Sequence, residues 1–369
     1  MTQPEILQWL RENQPSKLQD LFARADSVRR KYVGDAVHLR GLIEISSHCE
    51  RQCMYCGLRR ANCDITRYRM TREEIVECAR LAVTLGYGTV VMQAGEDSAL
   101  TPEWIADIVR WIKREIPLAV TLSLGERSAA ELQLWREAGA DRYLLRFETS
   151  DLALFRTIHP QRTPDAPDRL TLLRTLKQLG YQAGGGVMVG IPGQSFESLA
   201  QDVITFSDLD LDMIGLGPFI PHPATPLGAG KLRPSINPAD QVPADESMVY
   251  KMIALTRIQC PDANIPSTTA LATINRTHGR KQGLSVGANI VMPNLTPVKF
   301  RSLYQIYPAK ACIEESATDC SRCLGGQIRS LGRTIGKGPG GRGERAECDP
   351  SRPAQPETRL GTQLVELRA

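Results

Sequence analysis

The sequence has no apolar run of about 18 residues, so no transmembrane helix is expected. Its opening stretch, MTQPEILQWLRENQ, is too polar for a secretion signal. No strong charge of either sign is present. Forty-five Lys and Arg against 41 Asp and Glu leave a net charge of +4 over 369 residues, which points to no nucleic-acid partner. No repeat or low-complexity core appears. The ten cysteines stand in a long chain without a signal segment. That usage suggests a reducing, cytoplasmic setting, where thiols serve as metal ligands or buried side chains rather than disulfides. Hydrophobic and charged residues make up 42% and 23%, ordinary for a globular chain. The length suffices for one large barrel or two ordinary domains, with a substantial core.

What is present is concentrated in SSHCERQCMYCGLRR. Cys49, Cys53 and Cys56 are spaced C-x3-C-x2-C, and Tyr55 precedes the last of them. A structural zinc site usually takes four ligands, commonly as two pairs. No second pair lies nearby, and Cys63 breaks the spacing. Soft thiolate sulfur matches the iron of an iron–sulfur cluster. Three thiolates on a four-iron cubane leave one iron open to a small molecule. The spacing, with its aromatic neighbour, is the signature of the radical SAM enzymes. In these a [4Fe–4S] cluster reduces S-adenosylmethionine (SAM) to give a 5′-deoxyadenosyl radical. The cofactors carry that chemistry and the protein aims it.

Residues 4–32 read as a helical preface split by Pro15. Eight short apolar runs follow: Leu39–Ile45, Thr89–Gln93, Ala119–Leu124, Tyr143–Glu148, Ala183–Val189, Met213–Ile220, Asn264–Thr269 and Ala288–Met292. Most precede a helical pattern. Thr71-x-x-Glu74 and Ser128-x-x-Glu131 are capping boxes, and Pro102 takes the first position of another helix. Longer helical patterns cover 168–179, 195–208 and 244–260. Strands alternating with helices imply a parallel sheet, and continuous apolar runs suit strands buried on both faces. The expected fold is α/β: a (βα)8 TIM barrel over residues 36–308, an N-terminal helical extension over 1–35, and a C-terminal segment over 309–369. A partial six-strand barrel is the alternative, because the last two helices are poorly signalled. Barrel chemistry sits at the C-terminal ends of the strands, and the cysteine loop follows the first strand. The Pro- and Gly-rich stretch 228–247 reads as a surface loop. After Leu324 the composition favours a mobile tail. Its Arg329, Arg333, Lys337, Arg342 and Arg345 either meet an acidic partner or stay solvated.

Several strand ends carry polar groups that a core does not require. In Gln93-Ala94-Gly95-Glu96-Asp97, Gly95 and Glu96 form either a receptor for the SAM ammonium or a plain turn. Arg146 and Glu148 alternate on the fourth strand and so share a face. Facing inward they mark a site, since buried charge must be paired or bound; facing outward they are a salt bridge, and the spacing does not choose. Arg169 opens a helix, and its guanidinium suits a carboxylate such as that of SAM or the open surface. The segment GGGVMVGIPGQ, 184–194, permits close backbone approach; Ile191 packs on an adenine there or serves an ordinary turn. Thr268, Thr269, Met292 and Tyr304 are cavity wall or ordinary packing.

The stretches SSHCERQCMYCGLRR, RYRMTREEIVECARLAV, VTLSLGE, AGADRYLLRFET, VMVGIPGQ, MIGLGPFIPHPATPL, NIPSTTALATI and GANIVMPNLTP together resemble the [FeFe]-hydrogenase maturase HydE family, over roughly residues 36–325. The resemblance implies a complete barrel closed over a large cavity, and an enzyme that helps build the diiron subcluster of the hydrogenase H-cluster. The implied substrate is a cysteine-bound iron dicarbonyl cyanide unit made by HydG and attacked at sulfur by the adenosyl radical. The implied partners are HydG, HydF and a reducing electron donor, with no nucleic acid or membrane, and the protein is expected to be a monomer. By position, Cys49, Cys53 and Cys56 resemble the cluster ligands, Tyr55 an adenine contact, and Glu148 and Arg169 the SAM-binding pair. Gln93, Thr121, Arg146, Thr268, Thr269, Met292 and Tyr304 resemble cavity residues for substrate or an anion. Phe147 stands where HydE proteins can have histidine. On an alternating strand it faces away from its neighbours, so a packing change is expected.

Cys312, Cys320 and Cys323, spaced C-x7-C-x2-C, match the accessory [4Fe–4S] or [2Fe–2S] site of some HydE proteins; otherwise they are three thiols on a connection. Cys63, Cys78, Cys260 and Cys348 read as structural or incidental. Three rival functions stay open. A methylornithine synthase has a similar first motif. A biotin synthase-like enzyme would need barrel cysteines that the strands do not supply. A nonenzymatic iron–sulfur scaffold would have no need to cleave SAM.

Overall fold

The computed structural model describes residues 1–160 and 167–342. Two helices come first. α1 (Gln3–Arg11) opens with a Thr2–Glu5 capping box, and α2 (Pro15–Val33) starts at the expected proline. Their apolar stripes bury Ile6, Leu10, Leu21 and Ala25.

The barrel then alternates in the expected order: β1 (Ala36–Ser46), α3 (Arg72–Thr84), β2 (Thr89–Ala94), α4 (Pro102–Glu115), β3 (Ala119–Ser123), α5 (Ala129–Glu137) and β4 (Arg142–Leu144). After these come α6 (Leu152–Ile158), α7 (Arg169–Gln178), β5 (Gln182–Val189), α8 (Phe196–Asp208), β6 (Met213–Pro218) and α9 (Glu246–Gln259). Both capping boxes form: Thr71 and Ser128 accept from the third helical N–H, and Glu74 and Glu131 reach back. Strands β1 to β6 pair in parallel, each with its neighbour in sequence.

The last quarter of the ring is less regular. α10 (Thr269–Ile274), α11 (Gly279–Ser285) and α12 (Val298–Arg301) are short, and β7 is only Ile290–Val291. The run 264–269 forms no continuous ladder. Single bridges hold it to β6 (Met213 with Asn264, Leu216 with Ser267) and to β7 (Pro266 with Ile290). β7 pairs with β1 at His38 and Leu39, so the ring closes. Pro266 has no N–H to give a ladder. Side chains replace part of it: Asn289 Oδ1 accepts from Ile265 N at 2.9 Å, and Asn289 Nδ2 donates to Asn264 Oδ1 at 3.0 Å.

The chain beyond Leu324 is packed, which corrects the expectation of a mobile tail as far as residue 342. α13 (Ala317–Ser330) carries Cys320 and Cys323, and β8 (Thr334–Ile335) adds to the start of β1. The glycine-rich run 336–341 then crosses the N-terminal mouth of the barrel. Arg40 and Asn264 donate to Gly340 O, each at 3.2 Å, and Thr89 Oγ1 donates to Pro339 O at 3.0 Å. Arg333 is buried, with Nη1 on the Leu284 and Ala288 carbonyls. Arg342 pairs with Asp210, Asp212 and Asp262. Arg333 thus meets the chain's own carbonyls, and Arg342 its own carboxylates. A glycine run is what such a plug requires: a Cβ on Gly340 or Gly336 would collide with the His38 ring. Arg345 and Cys348 lie outside the described residues. Among the described residues no helix is long and apolar enough to cross a membrane.

Removing residues 336–369 strips the partners from buried donors of Arg40, Asn264 and Thr89. Unpaired buried polar groups cost about 1–3 kcal/mol each, so the melting temperature should fall by several degrees. Thermal unfolding of the shortened chain checks this, and an unchanged midpoint would show that the plug contributes no stability.

Candidate functional site

The cysteine loop leaves the C-terminal end of β1 and is held there by backbone contacts. Glu50 N donates to Glu96 O at 2.9 Å, Met54 N to Ile158 O at 2.8 Å, and Gly57 N to Ile306 O at 3.0 Å. Arg67 binds four loop carbonyls, those of Ser47, Leu58, Arg59 and Asn62. A Cβ on Gly95 would strike the His48 carbonyl and the Cys49 side chain, so the loop approaches β2 only because that position is glycine.

Cys49, Cys53 and Cys56 carry free thiols and line one chamber of about 240 Å³ with Tyr55. Its wall also includes Gly95, Glu96, Arg146, Glu148, His159, Arg169 and Tyr304. An adjoining inner chamber of about 170 Å³ lies along the barrel axis and shares Gln93, Arg146, Ile306 and Tyr307 with the first. Thr268, Thr269 and Met292 line this inner chamber. The structure thus brings most of the sequence-nominated residues around one space. Arg146 and Glu148 face inward, with Arg146 Nη2 3.2 Å from Glu148 Oε2. Phe147 points the other way and packs on Phe206 of α8, as alternation requires.

Two nominated residues fall elsewhere. Thr121 lines a small, separate pocket deeper in the barrel, with Arg40 and Arg142. Ile191 is fully buried in a satellite cluster with Leu154, Ile158, Met188 and Phe219, and the chamber wall there is Met188, Pro218, Phe219 and Ile220. The turn after β5 withdraws Ile191 from the cavity: Gln194 Oε1 accepts from Gly190 N and Ile191 N.

Sequence reasoning missed the ionic network behind the cysteines. His159, the residue after α6, sets Nδ1 3.1 Å from Cys53 Sγ and 3.2 Å from the Tyr55 hydroxyl, with Nε2 3.1 Å from Glu126 Oε1. Arg169 Nε donates to Glu126 Oε1 at 2.8 Å, and its Nη2 lies 2.9 Å from His159 Nε2. Arg51 stands 3.7 Å from Glu96 and 3.5 Å from Glu126. Burial opposes ionisation of Glu126, but the His159 hydrogen bond and the Arg169 charge outweigh it and bring the carboxyl down to about 2. Burial, then Arg169, pushes the His159 imidazole down to about 4, so it is neutral at pH 7. Burial, then Glu126, raises the Glu96 carboxyl. The available signal was weak: Glu126 and His159 belong to no short motif, and only the fold joins them.

Glu44 and Lys310 were also missed. Glu44 points inward from β1, and Lys310 descends from the segment after α12 to meet it at 2.7 Å; both side chains are buried. Asn294 donates to the other Glu44 oxygen at 3.0 Å. The inward positions of β1 read His38, Arg40, Leu42, Glu44 and Ser46. A polar alternation inside a strand expected to be buried on both faces was the legible clue.

The chamber suits a cluster and a polar ligand. Burial pushes the Cys53 and Cys56 thiols up, Cys56 to about 12, so a bound cation must displace their protons. Glu96 Oε2, Arg51 Nε and Arg51 Nη1 are buried without a hydrogen-bond partner beside those thiols. Three thiols are the donor set of an iron–sulfur cluster, and beside them the loose Arg51–Glu96 pair, 3.7 Å apart, presents one charge of each sign.

Comparison with known proteins agrees. The Radical SAM superfamily model matches residues 43–203. The [FeFe] hydrogenase maturase subunit HydE of Thermotoga maritima is 50% identical over 87% of this chain and 88% of its own. A 3-methylornithine synthase of Methanosarcina barkeri is 31% identical over 76% of this chain and 75% of its own. Among solved structures, methylornithine synthase superposes with a TM-score of 0.76 at 27% identity, covering 91% of this chain and 94% of that one.

The Glu44–Lys310 pair gives a direct check of the site's construction. Lys310→Met leaves a buried carboxylate without its cation and should cost about 3–5 kcal/mol. A Glu44→Gln and Lys310→Met double variant should recover much of that loss. Denaturant unfolding of the two single and the double variants measures the coupling, and additive losses would argue that the pair does not hold the lid.

Proposed function

Because the chain belongs to the HydE family of radical SAM enzymes, we propose that it acts in [FeFe]-hydrogenase maturation, on a cysteine-bound iron dicarbonyl cyanide precursor supplied by HydG. The supporting observation is the pairing of a three-thiol chamber with a deeper chamber that opens from it inside one barrel. In this reading Cys49, Cys53 and Cys56 hold the [4Fe–4S] cluster, and SAM lies beside it. When bound, these groups supply the 5′-deoxyadenosyl radical that attacks the precursor's sulfur.

The chain's own residues bind, orient and shield. Arg169 is a carboxylate partner: its guanidinium already takes Glu126, and a ligand carboxylate is the same kind of acceptor. Glu148 and Glu96 offer carboxyl oxygens to an ammonium or to ribose hydroxyls, near the Gly95 backbone. Tyr55 presents its ring to the adenine end. Thr268, Thr269, Met292 and Gln93 face the inner chamber and would surround the precursor, while Arg146 stands at the junction and complements an anionic complex. Tyr304 is buried and hydrogen-bonded to Gln93, which keeps both side chains directed into the cavity. Ile306 and Tyr307, from the segment after α12, line both chambers and would shield bound ligands from water. Thr121, in its separate pocket, fits an anion more readily than the precursor.

The second cysteine group supports an accessory cluster. Cys320 and Cys323 lie one turn apart on α13, and the Cys312 thiol is hydrogen-bonded to Cys320. HydG and HydF are the proposed partners, with a cytoplasmic one-electron donor.

The deciding experiment incubates reconstituted enzyme with reductant, SAM and the HydG product. An adenosylated, iron-bound cysteine species with a paramagnetic iron signal is expected. Conversion of lysine to methylornithine, with the iron complex unreacted, would establish the methylornithine synthase reading instead. Separately, replacing Cys312, Cys320 and Cys323 with serine should lower iron content and leave 5′-deoxyadenosine formation near the parent rate. Loss of SAM cleavage with the first cluster intact would show that the second site takes part in catalysis.

A further inference from the structure

Glu148 occupies a backbone conformation that its residue type resists. Its φ is +64°, in the left-handed region that non-glycine residues seldom enter. The strand ladder continues around it: Glu148 N donates to Gly186 O and Met188 N to Glu148 O, each at 3.1 Å. Such a conformation persists only where its surroundings over-determine it.

Two residues on, the chain meets a buried carboxylate. Asp202 of α8 has no solvent exposure. Its Oδ1 accepts from the Ser150 N–H and from the Ser150 hydroxyl, both at 2.6 Å. The next residue, Asp151, caps α6 by accepting from Ala153 N and Leu154 N. His159 directly follows α6 and is in contact with Cys53, Tyr55, Glu126 and Arg169. One carboxylate therefore sits at the junction between Glu148 and the helix that carries His159.

Packing alone gives no reason for an acid there. Its buried neighbours along α8 include Leu199, Ala200, Val203 and Phe206, and fully buried carboxylates are rare. Oδ2 has no hydrogen-bond partner. Burial pushes the carboxyl up to about 7 against the Ser150 hydrogen bonds. Burying an acid in that setting costs stability, which the two bonds to Ser150 offset only in part, since Oδ2 stays without a partner.

We propose that Asp202 is a positioning residue of the SAM site, holding Ser150 and, through it, Glu148 and His159 in the arrangement that receives SAM. This rests on reading Glu148 as a SAM contact.

The test measures SAM affinity by equilibrium titration of reconstituted protein, with iron content and amide hydrogen exchange over residues 145–160 followed in parallel. Asp202→Ala should weaken SAM binding about tenfold, speed exchange at Ser150 and along α6, and keep its iron. Asp202→Asn retains an acceptor and should restore most of the affinity. Ser150→Ala keeps only the N–H donor and should fall between them; should Asp202→Ala fail to fold, a weaker Ser150→Ala beside a near-parental Asp202→Asn carries the same conclusion. Parental affinity in Asp202→Ala, beside a loss in Glu148→Ala, overturns the positioning role alone. Parental affinity in both variants overturns the SAM reading of Glu148 as well. Loss of iron and of melting temperature, with unchanged affinity per loaded site, marks a purely structural acid and also overturns the proposal.

Discussion

Charge inside a closed barrel must find a partner, and that requirement shapes both ends of this molecule. β1 turns Arg40 and Glu44 into the lumen. An isolated ion there would cost several kcal/mol. Glu44 is met by Lys310 from the segment that closes the C-terminal mouth. Arg40 is met by the Gly340 carbonyl from the segment that closes the N-terminal mouth. The first of these segments also packs Leu303, Tyr304 and Ile306 against the core, whereas 336–341 is mostly glycine and has almost no apolar side chain to bury. At the glycine-rich end hydrogen bonding from the barrel wall therefore does what hydrophobic packing does for the helices, and at the other end the ion pair adds to apolar packing.

The helices and the first six strands were legible because their signals are local. Capping boxes at Thr71 and Ser128, the proline at Pro102 and the apolar runs each act within a few residues. The ring's closing quarter was less so. The run 264–269 has a strand's composition, but Pro266 removes a donor, and the asparagines that replace the ladder announce nothing by themselves. The tail beyond Leu324 was misread for a related reason. Glycine and arginine in a row look like solvated chain until the barrel supplies carbonyls, Asp210 and Asp262 to receive them.

At the site, legibility followed the same division. The cysteine spacing and the Arg146–Glu148 alternation are short-range patterns and led to the cavity. Ile191 was read from the glycine-rich segment around it and Thr121 from resemblance by position, and neither signal fixes which side of a wall a side chain takes. The network of Arg51, Glu96, Glu126, His159 and Arg169 joins five residues from separate loops. No pair of them is close in sequence except His159 and Arg169, ten residues apart.

That network also constrains how the proposed cofactors are received. With His159 held neutral and Glu126 held ionised, the cations facing the chamber are Arg51, Arg146 and Arg169, and Arg146 has Glu148 as its ion partner. Arg51 Nη1 has no hydrogen-bond partner, and Arg51 Nε and Glu96 Oε2 face each other only across 3.7 Å. A zwitterionic ligand brings one charge of each sign and can satisfy both kinds of group without changing the net charge of the chamber. A purely anionic ligand would leave the carboxyl side unsatisfied, and a cation alone would leave Arg51 so. The same accounting applied to the inner chamber gives a different answer. Glu44 there is already paired with Lys310, while Arg280 Nε and Arg146 Nε lack hydrogen-bond partners. On this accounting the cysteine side suits the proposed zwitterion, and the proposed anionic precursor would meet Arg280 farther in and Arg146, the ion partner of Glu148, at the junction.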